Sequence, residues 1–439
     1  MEIFFERMKS LLGDEFESFL KFYNSGKVFR GLRVNTLKCS ADKLRELIGF
    51  ELEPAPFCAE GFYIPDEIKS LGNSPLHHAG AFYMQEPSAT SAVEMLNVKA
   101  GEKVLDLCAA PGGKSTQIAA KLNGEGLLWS NEIVKSRSII LLSNIERMGI
   151  RNAVVSNCRP DILCARLRGY FDKILVDAPC SGEGMFRKNT EAETEWSVEH
   201  VKSCAARQLM ILNSAKNALK ENGELVYSTC TFSKEENEGV IEEFLSENPD
   251  FEIVDSGVDF GRPTLGYARR IFPMDGGEGH FAVKLRKNSA SVSVPTNKPK
   301  SEKIPDFVKA FITDNFVNTA FENQLQIIGR NIYIVLNNLP DTGSLNILRK
   351  GVLLGEIKKN RVEPHHHAFT SSKKEDCKRA VDLDLHSDDI KKFLHGEEID
   401  VAKDLKGYTA VCVNGITTGF GKASAGKLKN KYPKGLRTL

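Results

Sequence analysis

Two cysteines stand at the ends of two hydrophobic segments that lie far apart in the chain. The segment FDKILVDAPCSGEG carries Asp177 and then Cys180 past the end of a hydrophobic run, and LVYSTCTFSKEE does the same with Cys230. Because ligands bind at the carboxyl ends of strands in open α/β sheets, we expect both thiols and the carboxylate to share one site. A free thiol has a pKa of about 8.5 and needs a favourable setting to react as a thiolate.

Methylation of a pyrimidine carbon is one reaction that needs this grouping. Carbon 5 of cytosine is a poor nucleophile, but a thiolate that adds to carbon 6 turns the ring into an enamine that can attack an electrophilic methyl group. An acid or hydrogen-bonding group near ring N3 assists the addition, and a base must later remove the C5 proton so that the thiol can leave. Cys108, Cys158 and Cys204 fit the ordinary role of a small core residue instead.

A turn of small residues predicts a cofactor site. The stretch VLDLCAAPGGKSTQIA has the pattern of a strand, a tight turn and a helix whose first N–H groups are free to bind a ligand. The GxxxxGK[ST] phosphate loop is excluded because Cys108 stands where it needs glycine, and GxGxxG is also absent. Glu132 ends the next strand, where an acid commonly binds ribose hydroxyls. A nucleoside-containing cofactor fits this pair, and a glycine turn used only for packing is the alternative.

Alternating strands and helices from residue 76 to 287 would position these groups. The predicted strands are KVLDLCAA, GLLWSNE, AVVSN, DKILVDAP, GELVYSTC and HFAVKLR. This alternation predicts an α/β fold with a mainly parallel, doubly wound sheet. The long helix before GELVYSTC is expected to end at Asn222-Gly223, and an earlier helix, CSADKLRELIGF, is expected to be capped by Ser40 or Asp42.

The C-terminal part of the chain predicts a linker and a small β domain. Residues 288–305 lack periodicity and are rich in Ser, Pro and Lys, which predicts a linker that extends to residue 325. IIGRNIYIVLN, LNILRKGVLLGEI and GYTAVCVNGITTGFGKA predict strands of the domain. In the basic tail, Lys429, Lys431, Lys434 and Arg437 are predicted to bind RNA by pairing with its phosphates, while Tyr432 stacks on a base. A solvated charged tail is the alternative.

Composition describes a globular chain with little net charge. The length of 439 residues predicts two or three domains. The content of 41% hydrophobic and 27% charged residues is typical of a globular protein. With a net charge of +1, nucleic-acid binding would depend on local basic patches. We expect a cytoplasmic protein because no signal-peptide core or membrane-length apolar run is present. The thiols are then expected to be free, with a Cys180–Cys230 disulfide as the alternative. Three adjacent histidines, 365–367, lack a second ligand cluster, so we predict no metal.

Several motifs resemble those of the bacterial RNA cytosine-5 methyltransferases related to the Nop2/Sun proteins. They are RVNT (33–36), GAFYMQEPSA (80–89), CAAPGGKST (108–116), DAPCSGEGMFRK (177–188), STCTFSKEENE (228–238) and GEGHF (277–281). LGEIKKNRVEPHH and LKNKYPKGLR resemble the PUA-like domain of the RsmF-type branch. The resemblance implies four parts: an N-terminal α+β RNA-binding subdomain (1–75), a Rossmann-like class I methyltransferase domain with an antiparallel last strand (76–287), the linker (288–325), and a PUA-like RNA-binding β domain (326–439).

The resemblance also implies a cofactor, a partner and residue roles. The cofactor would be S-adenosyl-L-methionine and the partner RNA, either 16S ribosomal RNA or the 30S subunit; nothing in the sequence requires more than a monomer. Cys230 would be the nucleophile, Cys180 would assist breakdown of the covalent adduct, and Asp177 and Lys114 complete the catalytic set. The implied cofactor-binding residues are Cys108, Ala109, Ala110, Pro111, Gly112, Gly113, Lys114, Glu132, Arg137, Asn157 and Asp177. Asp161 is an alternative to Asn157 near the adenine, and Arg33 and Asn35 would contact RNA.

Two other functions compete with methylation of cytosine C5. A noncatalytic ribosome-assembly factor could keep the fold, but a degenerate binder has no need of Cys230, Cys180, Asp177 and Lys114 together. An exocyclic-amine methyltransferase typically has an N/D-P-P-Y/F/W loop after the same strand, whereas DAPC offers a thiol and lacks the aromatic ring. The sequence therefore favours a C5 methyltransferase that acts on RNA.

Overall fold

The computed structural model describes residues 1–188, 190–296, 303–317, 324–337 and 339–438. Parts of the predicted linker, 288–325, lie outside the described residues, and a helix occupies Asp306–Asn315 within it. The domain boundaries inferred from the sequence stay predictions. Within the described ranges, no helix has both the length and the apolar character needed to cross a membrane.

The N-terminal region packs helices around a small antiparallel sheet. The helices are α1 (Glu2–Leu12), α2 (Phe16–Asn24), α3 (Ala41–Ile48) and α4 (Pro75–His78). The strands are β1 (Gly31–Val34), β2 (Glu53–Pro54), β3 (Gly61–Tyr63) and β4 (Phe82–Met84), paired in the order β2-β3-β1-β4. Ser40 caps α3 as predicted, since its hydroxyl accepts the Lys43 N–H at 3.1 Å.

The central region is a doubly wound sheet. Its strands are β5 (Lys103–Asp106), β6 (Leu127–Asn131), β7 (Ala153–Ser156), β8 (Phe171–Asp177), β9 (Leu219–Thr229), β10 (Phe251–Ile253), β11 (Arg262–Pro263), β12 (Arg269–Ile271) and β13 (His280–Lys287). Its helices are α5 (Ser91–Leu96), α6 (Gly113–Leu122), α7 (Lys135–Arg147), α8 (Pro160–Arg166), α9 (Thr190–Glu195), α10 (Val198–Ala218) and α11 (Glu238–Glu247). Five parallel strands lie in the order β9-β8-β5-β6-β7, and β13 runs antiparallel beside β9. The predicted Rossmann-like α/β sheet with an antiparallel last strand is confirmed.

Both faces of this sheet are buried, which explains its nearly continuous hydrophobic strands. Leu105 and Trp129 lie in the core on one face, and Val104 and Leu128 lie in the core on the other. Side chains alternate between faces along a strand, so a strand covered on both sides needs apolar residues at every position. The polar residues therefore collect where the strands end.

The long helix before β9 ends earlier than predicted. Helix α10 stops at Ala218, and the fully buried Leu219 already pairs with Phe171 in the sheet. Asn222 takes a left-handed conformation, with φ of 57°, inside the extended segment. The Asn222-Gly223 pair thus marks a distortion of β9 and not a helix end, because burial of Leu219 starts the strand before the turn signal.

The C-terminal part forms two further small sheets. Its elements are α12 (Asp306–Asn315), β14 (Leu325–Ile328), β15 (Asn331–Ile334), β16 (Ile347–Lys350), β17 (Val352–Lys358), β18 (Arg361–Pro364), α13 (His366–Thr370), β19 (Ala380–Leu383), α14 (Asp388–His395), β20 (Ile399–Asp400), β21 (Gly407–Val413), β22 (Ile416–Ser424) and β23 (Lys427–Asn430). The sheet orders are β14-β15-β17-β18 and β19-β21-β22-β23-β20. Strand β16 joins neither sheet. It pairs antiparallel with β7 and so extends the central sheet with C-terminal residues.

Buried polar side chains join the N-terminal region to the central sheet. The Asn35 amide donates to the backbone oxygens of Gly80 at 2.8 Å and Met148 at 2.9 Å. The Arg33 guanidinium donates to the Thr116 hydroxyl at 2.6 Å. Both side chains are 1% exposed. The prediction that Arg33 and Asn35 contact RNA is therefore corrected: they have no surface to offer and instead fix the N-terminal region in place.

Replacement of Asn35 by alanine tests this structural role. The change leaves two buried carbonyls without their donor, so we expect a loss of about 1–3 kcal/mol in the free energy of unfolding. The exposed Asn24→Ala variant is the control and should stay within about 0.5 kcal/mol of the wild type. Denaturant unfolding of both variants measures the difference. Equal stabilities would contradict the assignment.

Candidate active site

The two predicted thiols meet at the carboxyl edge of the sheet. Asp177 pairs with Ser228 in the parallel register, so β8 and β9 end side by side and their loops carry Cys180 and Cys230 together. The two sulfur atoms are 3.3 Å apart, and both cysteines are free thiols. The hydrogen bond with the Cys230 thiol, together with burial, raises the pKa of Cys180 well above its usual value. Cys180 is therefore held in its protonated form beside the other sulfur.

Two buried carboxylates link the cysteine loops reciprocally. Glu183, on the Cys180 loop, accepts the Thr231 hydroxyl at 2.9 Å. Glu236, which lies six residues after Cys230, accepts the Ser181 N–H at 2.9 Å and also the Ser181 hydroxyl. Burial raises the pKa of both carboxyls. Sequence reasoning missed these two residues, although each is an acid within a few residues of a cysteine motif.

An ion pair lies next to the thiols. The Lys114 ammonium, at the start of α6, is 2.7 Å from Asp177 Oδ2, and the Ser228 hydroxyl donates to Oδ1 at 2.8 Å. Burial alone would raise the pKa of Asp177, but Lys114 and the hydrogen bonds hold it below its usual value. Asp177 is therefore ionised. The four predicted catalytic residues lie together at the ends of β8 and β9 and the start of α6.

The predicted cofactor turn has the shape of a cradle. Residues 107–112 connect β5 to α6, and Gly112 caps the helix in a left-handed conformation with φ of 117°. A Cβ at Gly113 would come within 3.3 Å of the Tyr83 ring, so the turn also needs a small residue there. The α6 N-terminus and these glycines together leave backbone N–H groups available to an anionic group.

Glu132 stands beside this cradle at the end of β6. The carboxylate is buried and accepts the Val134 N–H at 2.8 Å. Arg137 lies 3.5 Å from it and donates to the Ala110 oxygen at 2.7 Å, which ties the β6 loop to the turn. The predicted set from Cys108 to Lys114 and the pair Glu132–Arg137 are thus brought together.

Asn157 and Asp161 occupy different surroundings. The Asn157 amide donates to the backbone oxygens of Glu132 at 2.7 Å and Ile133 at 2.9 Å, so it supports the Glu132 loop. Asp161 is exposed at the start of α8 and pairs with Arg159 at 2.9 Å. A direct contact of either side chain with an adenine stays a prediction.

Asp106 shows that the cradle suits an amino-acid-bearing nucleoside. The side chain is fully buried, and its Oδ2 accepts the Ser115 hydroxyl at 2.7 Å, whereas its Oδ1 has no hydrogen-bond partner among the described residues. Burial raises the pKa of Asp106 to about 7. An ammonium group would satisfy this oxygen, a carboxylate would suit the α6 N-terminus, and ribose hydroxyls would suit Glu132. S-adenosylmethionine carries these three groups.

The basic tail is only partly available for RNA. Tyr432 is 2% exposed, and its hydroxyl lies 2.9 Å from His78 Nδ1. The prediction that Tyr432 stacks on a base is therefore corrected: its ring belongs to the interface between the N-terminal and C-terminal regions. Lys431 pairs with Glu363 at 2.8 Å.

The remaining tail residues differ in exposure. Arg437 is half-buried and donates to the backbone oxygen of Tyr432 at 3.3 Å, whereas Lys429 and Lys434 are exposed. The exposed lysines are the side chains best placed to meet phosphate.

Among the three adjacent histidines, the buried His367 uses both ring nitrogens, with Arg349 at 3.2 Å and the Ile150 oxygen at 3.0 Å. That histidine therefore serves packing.

Family models match four consecutive parts of the chain. Residues 2–87 match the N-terminal domain of 16S rRNA methyltransferase RsmF, and residues 93–286 match 16S rRNA methyltransferase RsmB/F. Residues 307–370 match the RsmF rRNA methyltransferase first C-terminal domain, and residues 380–438 match the methyltransferase RsmF PUA domain. The matches follow the order of the structural regions along the chain.

Whole-chain relatives and solved structures agree with these matches. The ribosomal RNA small subunit methyltransferase F of Vibrio vulnificus is 36% identical, over 99% of this chain and 97% of its own. The protein of the same name from Erwinia tasmaniensis is 32% identical, over 99% and 96%. A methyltransferase homolog protein from Pyrococcus horikoshii is 30% identical with a TM-score of 0.58, over 65% of this chain and 95% of its own. NSun6 from the same organism, solved with SFG, shares the fold at 23% identity with a TM-score of 0.59, over 65% and 97%.

The reciprocal carboxylates can be tested by truncating Glu236. Glu236→Ala removes the acceptor of the Ser181 N–H and hydroxyl and of the Gln208 amide, so we expect a loss of at least about 2 kcal/mol in the free energy of unfolding. The neighbouring Glu235→Ala is the matched control, since it removes a partly exposed pair with Arg7 that should contribute no more than about 1 kcal/mol. Comparable losses in the two variants would show that Glu236 does not hold the loops.

The raised pKa of Asp106 predicts a pH-dependent stability. Since the pKa is about 7 in the fold and about 3.9 in an unfolded chain, the folded state keeps a proton that the unfolded state releases. The stabilisation is complete below pH 4 and is lost as the pH rises through 7, by up to about 4 kcal/mol. Asp106→Asn lacks this titration, so the wild type should lose stability relative to the variant between pH 4 and pH 8. Denaturant unfolding across this range without cofactor measures it, and parallel curves would refute the expectation.

Proposed function

The chain belongs to the family of ribosomal RNA small subunit methyltransferases F, and on that premise we propose that it methylates carbon 5 of a cytosine in 16S ribosomal RNA. Methyl transfer to RNA and S-adenosyl-L-methionine as the donor are properties of this family. The observation that carries the finer proposal is the contact between two thiols, 3.3 Å apart, beside the Lys114–Asp177 pair. A methyltransferase that acts on an exocyclic amine or on a hydroxyl has no need of paired thiols.

The cofactor is proposed to lie between the turn after β5 and the end of β6. When bound, S-adenosylmethionine supplies an electrophilic methyl group. The N–H groups around Gly112 and Gly113 would hold its carboxylate, Asp106 Oδ1 its ammonium, and Glu132 its ribose hydroxyls. Arg137 would keep Glu132 and the turn in register through its bond to the Ala110 oxygen. These side chains orient the donor toward the ends of β8 and β9.

Cys230 is proposed to form the covalent bond to the base. Its sulfur adds to carbon 6 of the cytosine, and the ring electrons displaced by this addition make carbon 5 nucleophilic enough to take the methyl group. The Lys114 ammonium, held by Asp177, can donate a hydrogen bond to the ring as the addition places negative charge on it. Carbon 5 then holds both the methyl group and its original proton.

Cys180 is proposed to help release the product. The ionised Asp177 carboxylate is the base at this site that can take the C5 proton. The electrons of that C–H bond restore the C5–C6 double bond, and the Cys230 sulfur leaves as a thiolate. Cys180, whose raised pKa keeps it protonated, can donate a hydrogen bond to this leaving sulfur. The two thiols thus have opposite requirements, one as nucleophile and one as donor.

The RNA partner is proposed to be 16S ribosomal RNA, naked or within the 30S subunit, bound by a monomer in the cytoplasm. The exposed Lys429, on β23, and the exposed Lys434, which follows that strand, are the tail residues offered to phosphate. Since the net charge is only +1, such local groups must supply the attraction. A noncatalytic assembly factor would use the same surface, so only a chemical test separates the two functions.

Trapping of the covalent intermediate tests the mechanism. Cys180→Ala should accumulate a protein–RNA adduct on a denaturing gel with cofactor and 16S RNA or 30S subunits, because release is impaired while bond formation is not. The double variant with Cys230→Ala should form none. Cys39→Ala, at a partly buried thiol in the N-terminal region, is the control and should methylate like the wild type.

Each alternative has its own outcome in this experiment. If Cys230→Ala methylates RNA at the wild-type rate, Cys230 is not the nucleophile. RNA binding without methylation or adduct on either substrate would favour the assembly factor. Mass analysis of the methylated nucleoside separates carbon 5 from the exocyclic amine.

A further inference from the structure

His280 is a polar side chain at the mouth of the sheet that the proposed mechanism does not use. It is the first residue of β13, where Phe281 pairs with Thr229 and Ala282 pairs with Ser228. His280 thus immediately precedes the residue that pairs with Thr229, and Cys230 immediately follows Thr229. His280 and Ala282 project from the same face of β13 because they are two residues apart, and Ala282 pairs with Ser228. His280 therefore lies on the same side of the sheet as Ser228, whose hydroxyl binds Asp177.

The His280 imidazole is almost completely buried. His280 is 3% exposed, and neither Nδ1 nor Nε2 has a hydrogen-bond partner among the described residues. Leaving a buried polar group unpaired costs about 1–3 kcal/mol, so native structures rarely keep one without a reason. His367 makes the contrast, since it is equally buried and satisfies both nitrogens within the protein. The unused nitrogens of His280 therefore indicate a ligand that is absent from the protein alone.

The charge around His280 defines what that ligand can be. Burial and the Lys114 ammonium lower the pKa of His280 to about 3, although Asp177 acts in the opposite direction. The ring is therefore neutral, with one N–H donor and one acceptor nitrogen. A neutral group with adjacent donor and acceptor functions complements the polar edge of a nucleobase, and it is a poor partner for a phosphate or an ammonium ion.

We propose that His280 hydrogen-bonds the polar edge of the base whose carbon 6 faces Cys230, and so positions that base for attack. The inference rests on the proposed function, in which Cys230 attacks the base. His280 lies near this site because Phe281, the next residue along β13, pairs with Thr229, the residue before Cys230. His280 then acts on the RNA substrate and not on the cofactor, whose cradle lies at the ends of β5 and β6.

The test compares two substitutions in the full-length protein. His280→Phe keeps a planar ring that fits a buried site but has no polar atom, and His280→Gln keeps a donor and an acceptor. Single-turnover methylation of 16S RNA or 30S subunits should slow by about 10- to 100-fold in His280→Phe, as expected for one lost buried hydrogen bond, and should recover substantially in His280→Gln. The affinity for S-adenosylmethionine should be unchanged in both. His366→Phe, at a buried histidine of the C-terminal region, is the matched control and should keep the wild-type rate.

Two outcomes would overturn the proposal, and a third concerns only the proposed function on which it rests. A His280→Phe rate within twofold of the wild type overturns it. Equal losses in Phe and Gln variants, accompanied by weaker cofactor binding or lower thermal stability, also overturn it by showing a structural role. A wild type that methylates RNA at an atom other than cytosine C5 would sink the proposed chemistry, whereas the rates of the two variants would still decide whether His280 contacts the base.

Discussion

The reciprocal link between two cysteine loops is the constraint on which the active site depends. Glu183, on the loop after β8, binds Thr231 on the loop after β9, and Glu236 binds Ser181 in return. Adjacent parallel strands bring the loops near each other, but strand pairing ends at Thr229 and cannot fix the loop residues beyond it. The buried carboxyls of Glu183 and Glu236 fix the positions of these loop residues, because a buried carboxyl without a hydrogen-bond donor costs free energy. The 3.3 Å separation of the sulfurs is a result of that order.

The electrostatics of the site divide it into an ionic part and a neutral part. Lys114 and Asp177 form a charged pair, while Cys180 and His280 are held uncharged by burial and by their neighbours. In the proposed reaction, the pyrimidine takes up negative charge during the addition and loses a proton during release, so it needs both kinds of surroundings. The Lys114–Asp177 pair would stabilise the change in ring charge, and the neutral groups would hold the base without adding charge of their own.

Residues at the ends of strands and helices could be predicted from the sequence, whereas contacts between side chains far apart in the chain could not. Cys180, Cys230 and Asp177 could be placed together because each lies at or just beyond the end of a strand, whereas Lys114 was added through the resemblance of the motifs. The Ser40 cap follows from neighbouring residues. Arg33, Asn35 and Tyr432 were misassigned because residue type indicates that a polar group needs a partner but not whether the partner is RNA or protein. Asn35 finds its partner at Met148 and Tyr432 at His78, contacts that no local pattern encodes. Glu183 and Glu236 escaped notice for the same reason, since only burial distinguishes them from surface acids.

The central sheet is completed by strand β16, which is synthesised long after the other strands of that sheet. The outer edge of β7 pairs with Ile347–Lys350, residues made long after the central sheet has otherwise been translated. Until then the hydrogen-bonding groups along that edge face outward, as in any unprotected edge strand, and can recruit another nascent chain. A protein truncated after β13 would keep every residue of the active site and still be prone to aggregate. The C-terminal region thus protects the outer edge of the central sheet, a structural role that is separate from RNA binding.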